Sequence, residues 1–220
     1  MAIIIVSTLG KLSGTIHESL SLIGGKPALQ WSLEAILNAN RAHRTYLVTK
    51  DTKEATLATE FAAKTFYIED NGIIGSLNSS QIVFQVINRL DIIGDPVITL
   101  ISPENPFITS DDIDNTIEMI EVSNAESVIG VTRTNKTISD YQRLDQVGHL
   151  VPFSPSQLEN STYKKYPLYQ INGAIFSSKL TALKHHGSFL TPAAFAYVLS
   201  TRSSFTVLTE EDLELANRLV

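Results

Sequence analysis

Apolar runs alternate with helically spaced apolar positions along nearly the whole chain. Residues 2–8, Ala-Ile-Ile-Ile-Val-Ser-Thr, have the pattern of a buried strand. Leu9, Gly10, Lys11, Leu12, Ser13 and Gly14 follow as a turn. Over 27–38, Ala28, Trp31, Leu33, Ile36 and Leu37 recur at helical spacing, and Pro27 suits a first helical turn. Short strands at 45–48 and 65–68 bracket a helix at 53–63, and Asp70-Asn71-Gly72 reads as a turn. The spacing predicts a helix over 76–90 and a fully buried strand over 96–101. Ser110 is expected to cap a helix over 111–122, with Asp111 and Asp112 in its first turn. Strands at 127–132, 171–177 and 204–208 follow. The last helix opens on Thr209-Glu210-Glu211-Asp212 and packs through Leu213, Leu215, Ala216 and Leu219.

Repeated strand–helix–strand units predict an α/β fold with a mostly parallel central sheet flanked by helices, Rossmann-like in class. Active residues in such sheets gather at the carboxyl ends of the strands. The segment 134–169 breaks the rhythm. It is polar, contains Pro152, Pro155 and Pro167, and is too long for an ordinary connection. The expectation is one domain over 1–220 with 134–169 as an inserted arm, either a lid or an oligomer contact.

Composition narrows the classes. With 220 residues and a 43% hydrophobic share the chain can bury a substantial core. No stretch approaches the ~20 apolar residues of a membrane span. The first apolar run is short and lacks a basic lead, so it reads as a core strand rather than a signal peptide. Zero cysteines exclude disulfides and thiolate metal sites and fit a cytoplasmic protein. The net charge is −6 and basic residues are scattered, without the concentrated stripe that nucleic-acid binding usually shows. No Ser-His-Asp order, nucleophile elbow or Walker loop is present.

A strand emptying into a glycine-bearing loop before a helix is a place where α/β proteins bind phosphates. Lys11 and Lys26 are the cations this region offers, and the amides between Gly10 and Gly14 could cradle phosphate oxygens. The alternative is a plain tight turn with two solvated lysines. Glu104, between Pro103 and Pro106 at the end of the 96–101 strand, is either a metal-binding carboxylate or a solvated loop residue. His185 and His186 are adjacent, so their rings are expected to point apart on the surface.

Four blocks in order resemble the acylneuraminate-type cytidylyltransferases. They are Leu22-Ile23-Gly24-Gly25-Lys26-Pro27 with Trp31-Ser32-Leu33-Glu34-Ala35; Ser102-Pro103-Glu104-Asn105-Pro106-Phe107; Asn172-Gly173-Ala174-Ile175-Phe176; and Thr209-Glu210-Glu211-Asp212-Leu213-Glu214-Leu215-Ala216. The resemblance implies attack of an acidic sugar's hydroxyl on the α-phosphate of CTP, with Mg²⁺ and pyrophosphate release, in a homodimer built through the arm. It implies nucleotide-binding roles for Thr8, Gly10, Ser13, Gly14 and Ser79 and substrate roles for Asn172 and Gly173; the candidate catalytic cations are Lys11 and Lys26, displaced from the family's own, and the candidate Mg²⁺ ligand is Glu104, where related sugar nucleotidyltransferases place an aspartate. Lys164-Lys165 falls near the family's sugar-contacting pair, and is either that contact or a solvated arm.

Several family charges are replaced. In register with Gly24, the loop arginine falls on Leu9, the loop lysine on Ser13, a second lysine on Glu18 and the following asparagine on Ser19. The arginine after the Ser-Pro-Leu turn is Ile108, and the two metal-binding aspartates fall on Thr206 and Leu208. Two expectations therefore stand: a divergent cytidylyltransferase, or a catalytically silent paralogue that binds nucleotide or sugar, or pairs with an active relative.

Overall fold

The computed structural model describes residues 1–9, 19–68, 79–136, 142–144, 146–152 and 167–220. Its centre is a seven-stranded sheet. In chain order the elements are β1 (Ala2–Ser7), β2 (Leu22–Ile23), β3 (Lys26–Pro27), α1 (Ala28–Leu37), β4 (Ala42–Thr49), α2 (Thr52–Glu60) and β5 (Lys64–Tyr67). Then come α3 (Ser79–Ile87), β6 (Val97–Ile101), α4 (Ser110–Ser123), β7 (Ser127–Thr134), β8 (Gln142–Leu144) and β9 (Leu150–Pro152). The chain closes with β10 (Leu168–Lys179), α5 (Leu180–His186), β11 (Phe195–Val198) and α6 (Glu210–Arg218). The sheet order is β11-β7-β10-β6-β1-β4-β5. Strand β10 runs antiparallel to both its neighbours, and the other pairs are parallel. The mostly parallel α/β expectation holds.

The isoleucine run of β1 is explained by its central place. Successive strand side chains alternate between faces. Ile4 and Val6 join Leu29, Leu33, Ile113 and Ile117 of α1 and α4 in one core. Ile3 and Ile5 join Ile82, Val83 and Val86 of α3 and Leu183 of α5 in the other. A third cluster seats Phe107, Val207, Ala216 and Trp31 under the β2–β3 hairpin. Among the described residues no helix is long and apolar enough to cross a membrane.

Three local expectations are corrected, and one element that the sequence reading left unassigned is added. Thr109, not Ser110, caps α4: its hydroxyl accepts from the Asp112 amide and the Asp112 carboxylate accepts from the Thr109 amide. This reciprocal box starts the helix one residue earlier than the serine suggested. Residues 204–208 are not a strand. Phe205 and Val207 alternate inward, which mimics a strand, but the segment's link to the 102–106 turn is a single backbone bond, Val207 N to Glu104 O at 2.8 Å. The edge strand β11, inside an apolar stretch that periodicity leaves ambiguous, pairs with β7. His185 and His186 do not point apart: their rings meet edge-on with centroids 4.7 Å apart, and His186 Nε2 lies 3.0 Å from the Glu126 carboxylate. Within the expected arm, β8 and β9 form an antiparallel pair. Lys164 and Lys165 lie outside the described residues.

Candidate functional site

A cavity of about 590 Å³ opens at the carboxyl ends of β1 and β6 and beside the first half of β10. This is where a sheet of this kind offers backbone groups and loops to a ligand. The sheet order places β1, β6, β10 and β7 side by side, and Thr132 of β7 also lines the cavity, so it spans four strands, on the order of 15 Å at ~4.8 Å per strand. Of the expected site residues, Thr8, Glu104, Asn172 and Gly173 line it, together with Ser19, Thr206 and Leu208. Gly10, Lys11, Ser13 and Gly14 lie outside the described residues, as does Glu18. Ser79 opens α3, and its side chain is likewise outside them.

On the β10 side the ladder breaks. Ile171 pairs with Val131, whereas the next paired residue, Phe176, meets Ile129. The extra residues bulge, and Gly173 takes φ +81°, a left-handed conformation open to glycine. Asn172 holds the bulge: its Nδ2 donates to Thr132 Oγ1 at 2.6 Å, and its Oδ1 accepts from the Ala174 amide at 3.0 Å. Asn172 therefore shapes the wall with the atoms that a substrate-facing amide would offer.

On the β6 side, the turn 102–106 is clamped to residues 204–206 by Asn105, which is 1% exposed. Its Nδ2 lies 2.9 Å from Thr206 Oγ1, 3.2 Å from Phe205 O and 3.4 Å from Ser204 O. The position expected to carry a metal-binding aspartate is thus an acceptor in an uncharged clamp. Leu208 adds an apolar wall. Glu104 is the one charged side chain among the described residues lining the cavity.

On the β1 side the loop's flanks converge on Glu54, which is 8% exposed in the first turn of α2. Thr8 Oγ1 donates to Glu54 Oε2 at 2.6 Å, Thr49 donates to the same oxygen, and Ser19 donates to Oε1. Sequence reasoning missed Glu54 because an acidic residue three positions after Asp51 reads as ordinary helix-start chemistry. Asn105 was missed because it reads as a turn residue.

The Gly-Gly-Lys-Pro block turns out to be a hairpin. Gly24 and Gly25, at φ +57° and +81°, form the two-residue loop between paired Ile23 and Lys26. Lys26 is not among the described residues lining the cavity, where its expected phosphate role would place it. Its ammonium bonds Glu34 at 2.8 Å and lies 4.7 Å from the Trp31 ring. The Lys26 hydrogen bond holds the Glu34 carboxyl below its ordinary value, against the opposing effect of burial. Nor is the start of α1 open to phosphate: the Ala28 and Leu29 amides donate to Ser21 O at 3.0 Å and Ser19 O at 2.8 Å. Leu9 and Ile108, where the resemblance expects arginines, are packed side chains, Leu9 at 8% exposure in one core and Ile108 at 3% in the other.

Magnesium can be weighed on these donors. Among the described residues no group of three His, Cys, Asp or Glu could hold a metal. One cavity carboxylate, Glu104, fits a magnesium that arrives on nucleotide phosphates, since that ion is commonly bound through one or two carboxylates plus phosphate oxygens. It does not fit a metal held by the protein alone.

A mostly parallel α/β sheet with its cavity at these strand ends is an architecture in which nucleotides are commonly bound. The chain matches the family described as Cytidylyltransferase over residues 14–219, and it belongs to that family. It is 26% identical over 208 residues to an N-acylneuraminate cytidylyltransferase of Escherichia coli O18:K1:H7 (strain RS218 / NMEC), covering 92% of this chain and 48% of that one. The chain thus spans about half the length of that relative. It is 22% identical over 210 residues to a CMP-N,N'-diacetyllegionaminic acid synthase of Legionella pneumophila, covering 92% of this chain and 89% of that one. In fold it is similar to a CMP:2-keto-3-deoxy-manno-octonic acid synthetase complexed with CTP, at TM-score 0.70 and 13% identity, with 99% and 97% of the two chains covered. A 4-diphosphocytidyl-2C-methyl-D-erythritol synthase from Anaerococcus prevotii aligns at TM-score 0.65 and 14% identity, covering 99% and 95%.

Proposed function

We propose that the cavity takes CTP and an acidic sugar of the sialic or legionaminic kind, and that the protein transfers CMP to the sugar with release of pyrophosphate. The observation that carries this reading is the meeting of Thr8, Glu104 and the Asn172–Gly173 bulge in one cavity at the strand ends. The nucleotide lies on the β1 side and the sugar against β10. The Gly173 bulge brings backbone close to the sugar, and Asn172 keeps that backbone in place. A sugar hydroxyl oxygen forms the new bond to the α-phosphorus as the bond to the β-phosphate breaks, its proton passing to water and pyrophosphate leaving. Glu104 would hold Mg²⁺, which draws charge from the phosphates when bound. Lys11, from the sequence, is the cation assigned to the phosphates in place of Lys26. The protein acts in the cytoplasm as a homodimer.

A second reading, nucleotide or sugar binding without turnover, is favoured by Thr206 and Leu208 at the expected carboxylate positions and by the neutral Asn105 clamp. The two separate in one experiment. Purified protein is given CTP, Mg²⁺ and acidic nine-carbon sugars, with pyrophosphate release and CTP binding both measured. Release that Glu104→Ala and chelation of Mg²⁺ each abolish supports transfer. Mg²⁺-independent binding without release supports the silent reading, and no CTP binding overturns nucleotide use altogether. Sedimentation checks the dimer.

A further inference from the structure

Glu54 sets the hydrogen-bond polarity of the cavity's β1 wall. An ionised carboxylate only accepts, and a hydroxyl carries a single proton. Thr8, Ser19 and Thr49 each donate to Glu54, so that proton is spent in all three. Thr49 is buried and its oxygen also accepts from the Asp51 amide at 2.9 Å, which completes it. Thr8 Oγ1 also lies 3.3 Å from Val48 O, but the 2.6 Å contact to Glu54 is the one that orients its proton. Thr8 and Ser19 line the cavity. What they have left to present there is lone pairs.

Resting on the nucleotide reading above, we infer that Thr8 and Ser19 form an acceptor pair that selects a hydrogen-bond donor on the nucleoside, with Glu54 as the positioning residue that fixes their polarity. Phosphate oxygens are acceptors, so this wall disfavours them. The donors of a cytidine nucleotide are the exocyclic amino group of the base and the ribose hydroxyls, and either meets the requirement. Uracil offers an acceptor where cytosine has its amino group.

Glu54→Gln keeps the shape and changes the polarity. Whichever way the amide turns, its NH₂ replaces an oxygen facing either Ser19 or Thr8, and that hydroxyl must then accept; the freed proton turns towards the cavity or, at Thr8, is shared with Val48 O at 3.3 Å. Calorimetry on the full chain with CTP, UTP and 2′-deoxy-CTP reads the result. The wild type is expected to prefer CTP over the analogue lacking the recognised donor, and Glu54→Gln to shrink that preference roughly tenfold. Shrinkage of the CTP-to-UTP ratio assigns the base amino group; shrinkage of the CTP-to-deoxy-CTP ratio assigns the ribose. Thr8→Val, which removes one acceptor at nearly constant volume and leaves Glu54 two donors, is expected to shrink the same ratio and decides the matter if Glu54→Gln does not fold. Equal weakening of all three nucleotides, unchanged ratios, or a wild type that binds all three alike overturns the assignment while nucleotide binding stands. A wild type that binds none of them overturns the nucleotide reading, and this assignment with it.

Discussion

On the β1 side of the cavity three hydroxyls converge on one buried carboxylate, whereas on the β6 side one buried amide spreads its protons over two carbonyls and a hydroxyl. The first wall is organised around a charge, the second around a neutral group. A buried charge is tolerated when enough donors surround it, and it then orients all of them at once. A neutral clamp orients less and is less costly to lose. Thr206 and Leu208, the positions where the resemblance expects metal-binding carboxylates, sit on the neutral side. Among the described residues, charge at the strand ends thus sits beneath the β1 wall and at Glu104, and not on the 204–208 segment.

The sharpest way to break this contrast is Glu54→Ala. It strands the Thr49 hydroxyl at 0% exposure and the Ser19 hydroxyl at 7%, and removes a helix-start carboxylate. The expected loss in urea unfolding is about 3 kcal/mol. Asn105→Ala should cost less, about 2 kcal/mol, because carbonyls 204 and 205 and Thr206 Oγ1 can turn to water once the clamp opens. A larger loss for Asn105→Ala than for Glu54→Ala would reverse the ranking of the two walls.

The fold was legible because its signals are redundant. The β1 and β6 runs are apolar at every fully buried position except Thr99, and α1 and α4 repeat their apolar residues at helical spacing. The site was legible in part, through strand-end positions such as Thr8 and Glu104. Glu54 and Asn105 were not, because each meets partners far along the chain, 46 residues away at Thr8 and 101 at Thr206. A local reading assigns such residues to the nearest helix start or turn. Lys26 illustrates the converse: a lysine beside paired glycines resembles phosphate chemistry until the hairpin is seen to aim it at Glu34.

That hairpin supplies the next test. Gly24 at φ +57° is left-handed, and a Cβ there would lie 2.6 Å from Val220 Cγ2. The Val220 side chain is exposed and can shift, so backbone strain dominates. Gly24→Ala should cost about 1 kcal/mol. Its CTP affinity should stay within a factor of about two, set against roughly tenfold per hydrogen bond lost in the cavity.

The smallest expected effect belongs to Lys26 and Glu34, whose side chains are 41% and 30% exposed. Exposure screens the pair, so its contribution is about 0.5 kcal/mol. Because Lys26 lowers the Glu34 carboxyl in the folded state, the contribution is complete above the ordinary carboxylate range and fades as pH falls through the lowered value. Glu34→Gln should remove that acid-side slope from a pH series of unfolding curves. Lys26→Met keeps the stem over Trp31 and removes the charge, and it should leave CTP affinity unchanged. A tenfold loss of CTP affinity in Lys26→Met would return this lysine to the phosphates and make the hairpin, rather than the β1 wall, the nucleotide's anchor.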